Sequence, residues 1–329
     1  MSVKLYSNEP VKRLIKSMIS KEREPHSIVI TGERGQGKKA LAKYIAASLL
    51  CEAGQGEPCG ECKSCRMLER GGHPDFITAN ANENGNYQVD IIRELVSDAV
   101  VKPNEGKFKV YLIPDLDRSL NTSVQVQNIL LKLIEEPPEH CIIILTAATK
   151  EIFLETVISR VLCLNVLPCN DEECRNYLEN RYGQYGDYTS KDFECAAAFG
   201  GGTIGRCIEY LEDKSVALAM DIAKLGAEAI CKGSEYELLK AFFAADGKKA
   251  IFRRVIELLQ EAFRDALILR LGFDKTVGCM PEMSAKLAGR FNIDGCRGIC
   301  ELLGDYINRI DANANLTLAM NSLAARFFR

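Results

Sequence analysis

One short segment constrains the fold more than any other: Gly32-Glu33-Arg34-Gly35-Gln36-Gly37-Lys38-Lys39. It follows Ser27-Ile28-Val29-Ile30-Thr31, an apolar β-branched run. It precedes Lys38 to Leu50, where Leu41, Ile45 and Leu49 fall on one helical stripe. Strand, glycine-rich loop, helix is the context in which backbone N–H groups close around a phosphate, with a helix N-terminus behind them. Gly32, Gly35 and Gly37 supply the turns, and Lys38 is placed to reach the β- and γ-phosphates. Lys39 then stands where Ser or Thr normally holds Mg²⁺. A second ammonium there repels a metal, or else points away and leaves nucleotide binding weak and metal-free. ATP or ADP binding is therefore left open, and hydrolysis by this loop is not expected.

A second acidic feature reads the same way. The strand-like run Lys107 to Ile113 ends Pro114-Asp115-Leu116-Asp117. An ATPase strand of this kind ends in Asp-Glu, one acid for the metal and one for water. If Pro114 holds the first place, the metal carboxylate is missing. Asp115 and Asp117 are then shifted acids, solvated or capping the turn.

The 329 residues are too many for one ordinary domain. Up to residue 168 helical and apolar strand patterns alternate, with Phe76 to Ala79, Cys141 to Leu145 and Val161 to Val166 as further strands. Such alternation predicts a parallel sheet covered on both faces. A helix reaching Glu136 is expected to be capped by Asn121 or Thr122 and stopped by Pro137-Pro138. Beyond 168 strand patterns cease. The organisation expected is an α/β domain over 1–168, a small helical domain over 169–212 with a Gly200-Gly201-Gly202 turn, and an all-helical domain over 213–329.

Forty-two basic and 45 acidic residues give a net charge of -3, which argues against gripping nucleic acid by overall charge. The N-terminal segment lacks the apolar core of a signal peptide. No run approaches the roughly 20 apolar residues of a membrane span. A cytoplasmic location, with no membrane partner, is expected.

Cys51, Cys59, Cys62 and Cys65 stand out among 14 cysteines. Thiolates two residues apart can bend onto one ion, and four complete the tetrahedron that zinc prefers. The alternative is a set of free thiols. Without an open coordination position such a zinc is structural, fixing an insertion at about 51–65. His73 is expected to be a loop residue rather than a ligand. Lys63, Arg66 and Arg70 alternate with Glu52, Glu57, Glu61 and Glu69, a mixture that makes a poor nucleic-acid surface.

Several stretches resemble bacterial clamp-loader subunits of the AAA+ class. They include the phosphate loop with its cysteine module, Gly72-His73-Pro74-Asp75, and above all Gln127 to Pro138, similar to the family's NALLKxLEEPP helix. Thr156-Val157-Ile158-Ser159-Arg160 is similar to its TIxSRC signature, with Val161 for the last Cys. The resemblance implies an AAA+ P-loop domain with a zinc-binding insertion, a helical lid and a helical collar for oligomerisation. It implies that Ser159 and Arg160 lie at a subunit face, Arg160 acting in trans as an arginine finger on a neighbour's ATP site. The family's second sensor arginine falls at Gly205, with Arg206 one step out of register. Lys39, Pro114 and Gly205 depart together, so the chain resembles the delta-prime type, a rigid ring member without ATPase activity of its own. The alternative is a gamma- or tau-like subunit that hydrolyses ATP. Partners implied are delta and gamma or tau subunits, and through the assembly a sliding clamp and primed DNA.

Overall fold

The computed structural model describes residues 5–79, 87–118, 120–184, 186–273, 276 and 278–328, leaving aside the side chains of 118 and 120–123. The chain divides into two compact units, Met1–Cys169 and Asn170–Arg329.

The first unit is an α/β domain built on a parallel sheet, as the sequence leads one to expect. Its sheet holds β1 (Ser27–Thr31), β2 (Phe76–Thr78), β3 (Lys109–Ile113), β4 (Cys141–Ala147) and β5 (Leu162–Asn165), in the order β2-β3-β4-β1-β5. Each neighbouring pair is parallel, with Ser27 opposite Ile143, Ile28 opposite Leu162 and Lys109 opposite Cys141. Alternate side chains of one strand enter different cores. Ile28, Ile30, Val110, Leu112, Ile142 and Ile144 pack with helices α1 (Glu9–Ser20) and α2 (Lys38–Leu50). Val29, Tyr111, Ile113, Cys141, Ile143 and Leu145 pack with α4 (Val89–Asp98) and α5 (Leu120–Glu135) on the other face. Both faces being covered is why these strands read as continuous apolar runs. Between α2 and β2 the chain forms α3 (Lys63–Glu69). α6 (Glu155–Ile158) is a single turn before β5.

Boundaries differ from expectation in small ways. β5 is one residue shorter at each end, although Val166 N–H still donates to Thr31 O at 2.8 Å. α5 begins at Leu120, so Asn121 and Thr122 lie inside its first turn rather than capping it, and it ends at Glu135.

The second unit is entirely helical among its described residues: α7 (Asp171–Tyr182), α8 (Ser190–Gly200), α9 (Ile204–Glu212), α10 (Lys214–Lys232), α11 (Glu235–Phe243), α12 (Lys249–Arg270), α13 (Pro281–Arg290), α14 (Ile293–Asp311) and α15 (Leu316–Phe327). Capping is explicit in the sequence. Asn170 with Glu173, and Thr189 with Asp192, form reciprocal boxes that satisfy the first N–H groups of α7 and α8. Asp213 closes α9 and caps α10. Val255, Leu259 and Phe263 of α12, one helical face, lie in the buried core with Phe242 and Leu303. None of the described helices is long and apolar enough to cross a membrane.

Candidate functional site

The phosphate loop leaves β1 and enters α2 through backbone that side chains disfavour. Gly32 has φ +154°, and a Cβ there would meet Gln36 Oε1 at 2.7 Å and Val166 Cβ at 3.2 Å. Gly37, with φ 98°, turns the chain into α2. The loop is braced from within. Glu33 N–H donates to Gln36 Oε1 at 2.7 Å. Lys38 is buried, and its Nζ donates to Gly32 O at 2.7 Å and Glu33 O at 3.1 Å.

Lys39 neither points away nor stands alone. Its Nζ lies 2.9 Å from Asp115 Oδ2. Asp115 adopts a left-handed φ of 53°, which turns it back after Pro114, and its N–H donates to Thr146 Oγ1 at 2.9 Å. Asp117 is not merely solvated: its Oδ1 accepts the Ala148 N–H at 3.1 Å, and Ala148 O accepts the Gly32 N–H at 3.1 Å. This corner does not fit a divalent metal. The hydroxyl ligand is replaced by an ammonium, and the nearest carboxylate already holds that ammonium.

Arg160 occupies a different corner. Ser159 ends α6, and Arg160 N–H donates to Val157 O at 3.0 Å. Its Nη1 donates to Thr156 O and to Ser159 Oγ, each at 3.0 Å, and Ser159 Oγ donates to Thr156 O at 3.2 Å. The Nε lies 3.2 Å from Oε1 of Glu135, the last residue of α5. The Arg160 side chain remains 44% exposed. Buried Gln127 of α5 fixes the segment ahead of α6. It accepts the Leu154 N–H at 2.7 Å and donates to Ile152 O at 3.0 Å. The roles of Glu135 and Gln127 were not predicted. Both stand in the motif that ends Glu135-Glu136-Pro137-Pro138, but only tertiary contacts give them a function.

The four cysteines converge. Sγ atoms of Cys51, Cys59, Cys62 and Cys65 all lie within 4.8 Å of one another, and Cys59 and Cys65 are 4.0 Å apart. Zn–S bonds of about 2.3 Å in a tetrahedron require S–S separations of roughly 3.8 Å, so the cluster could hold zinc. Backbone N–H groups of Cys59, Cys62 and Cys65 donate to the sulfurs of Cys51, Cys59 and Cys62 at 3.4, 3.3 and 3.4 Å. The N–H groups of Cys62 and Glu61 bring the Cys59 thiol down to about 6. Burial pushes Cys51 and Cys65 up, so a cation is needed to ionise them.

His73 is a loop residue outside the cluster, as expected, and it is buried. Its Nδ1 accepts the Asp75 N–H at 3.1 Å. Buried Asp75 in turn accepts the N–H groups of Asn104, Glu105 and Gly106 at 2.6, 2.8 and 2.9 Å.

In the second unit Arg206 is committed internally. Its Nη2 contacts both carboxylate oxygens of Glu261, at 3.0 and 3.2 Å. Its guanidinium lies 5.3 Å from the Phe199 ring, which Arg254 approaches at 5.6 Å.

Comparison with known proteins gives the arrangement its context. Residues 7–170 match the family described as DNA polymerase III, delta subunit. The chain is 34% identical over 173 residues to the DNA polymerase III subunit tau of Escherichia coli K12, covering 52% of this chain and 26% of that protein. It is 29% identical to subunit gamma of Buchnera aphidicola subsp. Schizaphis graminum, covering 64% and 57%. It is 30% identical to subunit delta' of Bacillus subtilis, covering 48% and 47%. The chain thus spans between about a quarter and somewhat over half the length of these relatives. A gamma subunit-related protein from Thermotoga maritima, of solved structure, aligns over 96% of this chain and 98% of its own with 18% identity and a TM-score of 0.45.

Proposed function

Because residues 7–170 match the family described as DNA polymerase III, delta subunit, we propose that this chain is a delta-prime-type clamp-loader subunit that hydrolyses no ATP itself and offers Arg160 to a neighbouring ATPase subunit. The observation that carries this reading is the pairing of Lys39 with Asp115 at 2.9 Å, which occupies the corner an ATPase keeps for its metal. Arg160, exposed at the end of α6, supports the complementary half. A guanidinium stays charged and presents a planar fork to phosphate oxygens, which suits a finger acting across an interface. Zinc on the four cysteines would be structural, clamping the segment that follows α2. Residues 170–212 would then act as a lid and 213–329 as a collar joining delta and gamma or tau subunits, the assembly acting on a sliding clamp and primed DNA.

A gamma- or tau-like ATPase is the second reading, favoured by the 34% identity to subunit tau against 30% to subunit delta'. Steady-state hydrolysis separates the two. The purified chain is expected to be silent, and the assembly with an ATPase-competent partner active. Turnover by the chain alone would establish the second reading instead.

A further inference from the structure

The Arg160 guanidinium is not a loose surface side chain. Two N–H donors of its Nη1 end on Thr156 O and Ser159 Oγ, and its Nε edge faces Glu135. Nη2 makes no hydrogen bond among the described residues. The guanidinium is therefore held at Nη1 and Nε, while the side chain stays 44% exposed. Glu135 has no reason of local stability to be where it is. A carboxylate in the last turn of a helix opposes the helix dipole, and Pro137-Pro138 stop α5 just beyond it.

We propose that Glu135 and Ser159 are positioning residues that pre-orient the Arg160 guanidinium toward a phosphoryl group of a partner subunit; this rests on Arg160 being the finger. Arginine has many rotamers, and a finger that must be ordered at the moment of docking loses much of its advantage. The seat supplies that order beforehand. Thr156 O and Ser159 Oγ fix the plane of the fork, and Glu135 fixes its rotation about the long axis. These groups engage Nη1 and Nε, so they orient the cation and leave Nη2 to meet a phosphoryl oxygen. The Glu135 contact is also half exposed, 44% on Arg160 and 47% on Glu135, so solvent screens it and an incoming anion can compete for the cation.

The test is ATP hydrolysis by the assembled complex carrying Glu135→Gln, Ser159→Ala, Ser159→Thr or Arg160→Ala, and the double variants with Arg160→Ala. Arg160→Ala is expected to lower kcat by about a thousandfold. Glu135→Gln and Ser159→Ala are each expected to lower kcat roughly 3- to 30-fold, the scale of a misplaced catalytic group. The KM for ATP should stay within about twofold, since ground-state binding is not at stake. Ser159→Thr, which keeps the hydroxyl, should restore the rate. The deciding comparison is the cycle: neither substitution should slow the enzyme further once Arg160 is Ala. Equal losses with and without Arg160 would overturn positioning and leave the finger intact, as would a faster Glu135→Gln complex, which would make Glu135 a restraint. An Arg160→Ala complex of undiminished rate would overturn the finger itself, and the seat with it.

Discussion

The phosphate loop and the Arg160 corner use the same ingredients, a side-chain cation, backbone carbonyls and a carboxylate, but direct them oppositely. In the loop Lys38 is buried with its ammonium on Gly32 O and Glu33 O, and Lys39 is matched by Asp115. At Arg160 the carbonyl and hydroxyl take Nη1 and the carboxylate faces Nε. A lysine satisfied by its own loop must be pulled away before it can serve a ligand. A planar fork can be held at two of its nitrogens and still serve with the third. The difference teaches that the same ingredients can close a cation in or leave it accessible.

Disturbing the far end of the phosphate-loop helix should have the largest effect. Cys51 ends α2, so zinc removal by a chelator, or Cys65→Ser, is expected to cost on the order of 5 kcal/mol of local stability. Amide exchange should accelerate across 51–69 and the last turn of α2. It should stay unchanged at 155–160, and an equal rise there would show that the two corners are not independent.

Asp75 belongs to neither corner and sharpens the comparison as a control. Burial alone would raise its carboxyl, but the N–H groups of Asn104, Glu105 and Gly106 outweigh this and hold it below the ordinary carboxylate range. Its contribution is therefore full above the unfolded value, near pH 4, and is lost as pH falls through the folded one. Asp75→Asn should cost about 2 kcal/mol in urea unfolding at pH 7 and flatten the acid limb of the stability curve. Arg160-dependent hydrolysis should not change.

The smallest expected effect bears on the loop directly. Lys39→Thr with Pro114→Asp restores a hydroxyl and an acid, and should raise nucleotide affinity with Mg²⁺ by about tenfold, or roughly 1.4 kcal/mol. The wild type should show no dependence on Mg²⁺. A double variant equally indifferent to the metal would place the defect elsewhere, for example where Gly205 stands and Arg206 is held by Glu261.

Much of this was legible in residue order, because it depends on residues close together. The strand, loop and helix from Ser27 to Leu50 follow from apolar period and glycine placement, and helix α2 begins and ends where the pattern puts it. The cysteine spacing predicted a convergence that the sulfurs make. What escaped were pairings between distant segments. Nothing local in the sequence requires Lys39 to meet Asp115, Arg160 to meet Glu135, or Arg206 to meet Glu261. Asp115 also needs a left-handed backbone to reach Lys39, a conformation that the residue after a proline does not announce.

The most direct test sets the two corners against each other in one assembly with an ATPase-competent partner, measuring steady-state hydrolysis with Lys38→Ala or Arg160→Ala in this chain. The account predicts a near-normal rate for Lys38→Ala and a collapse of about a thousandfold for Arg160→Ala. A collapse with Lys38→Ala and an unaffected Arg160→Ala complex would contradict it, and would make the phosphate loop the working site.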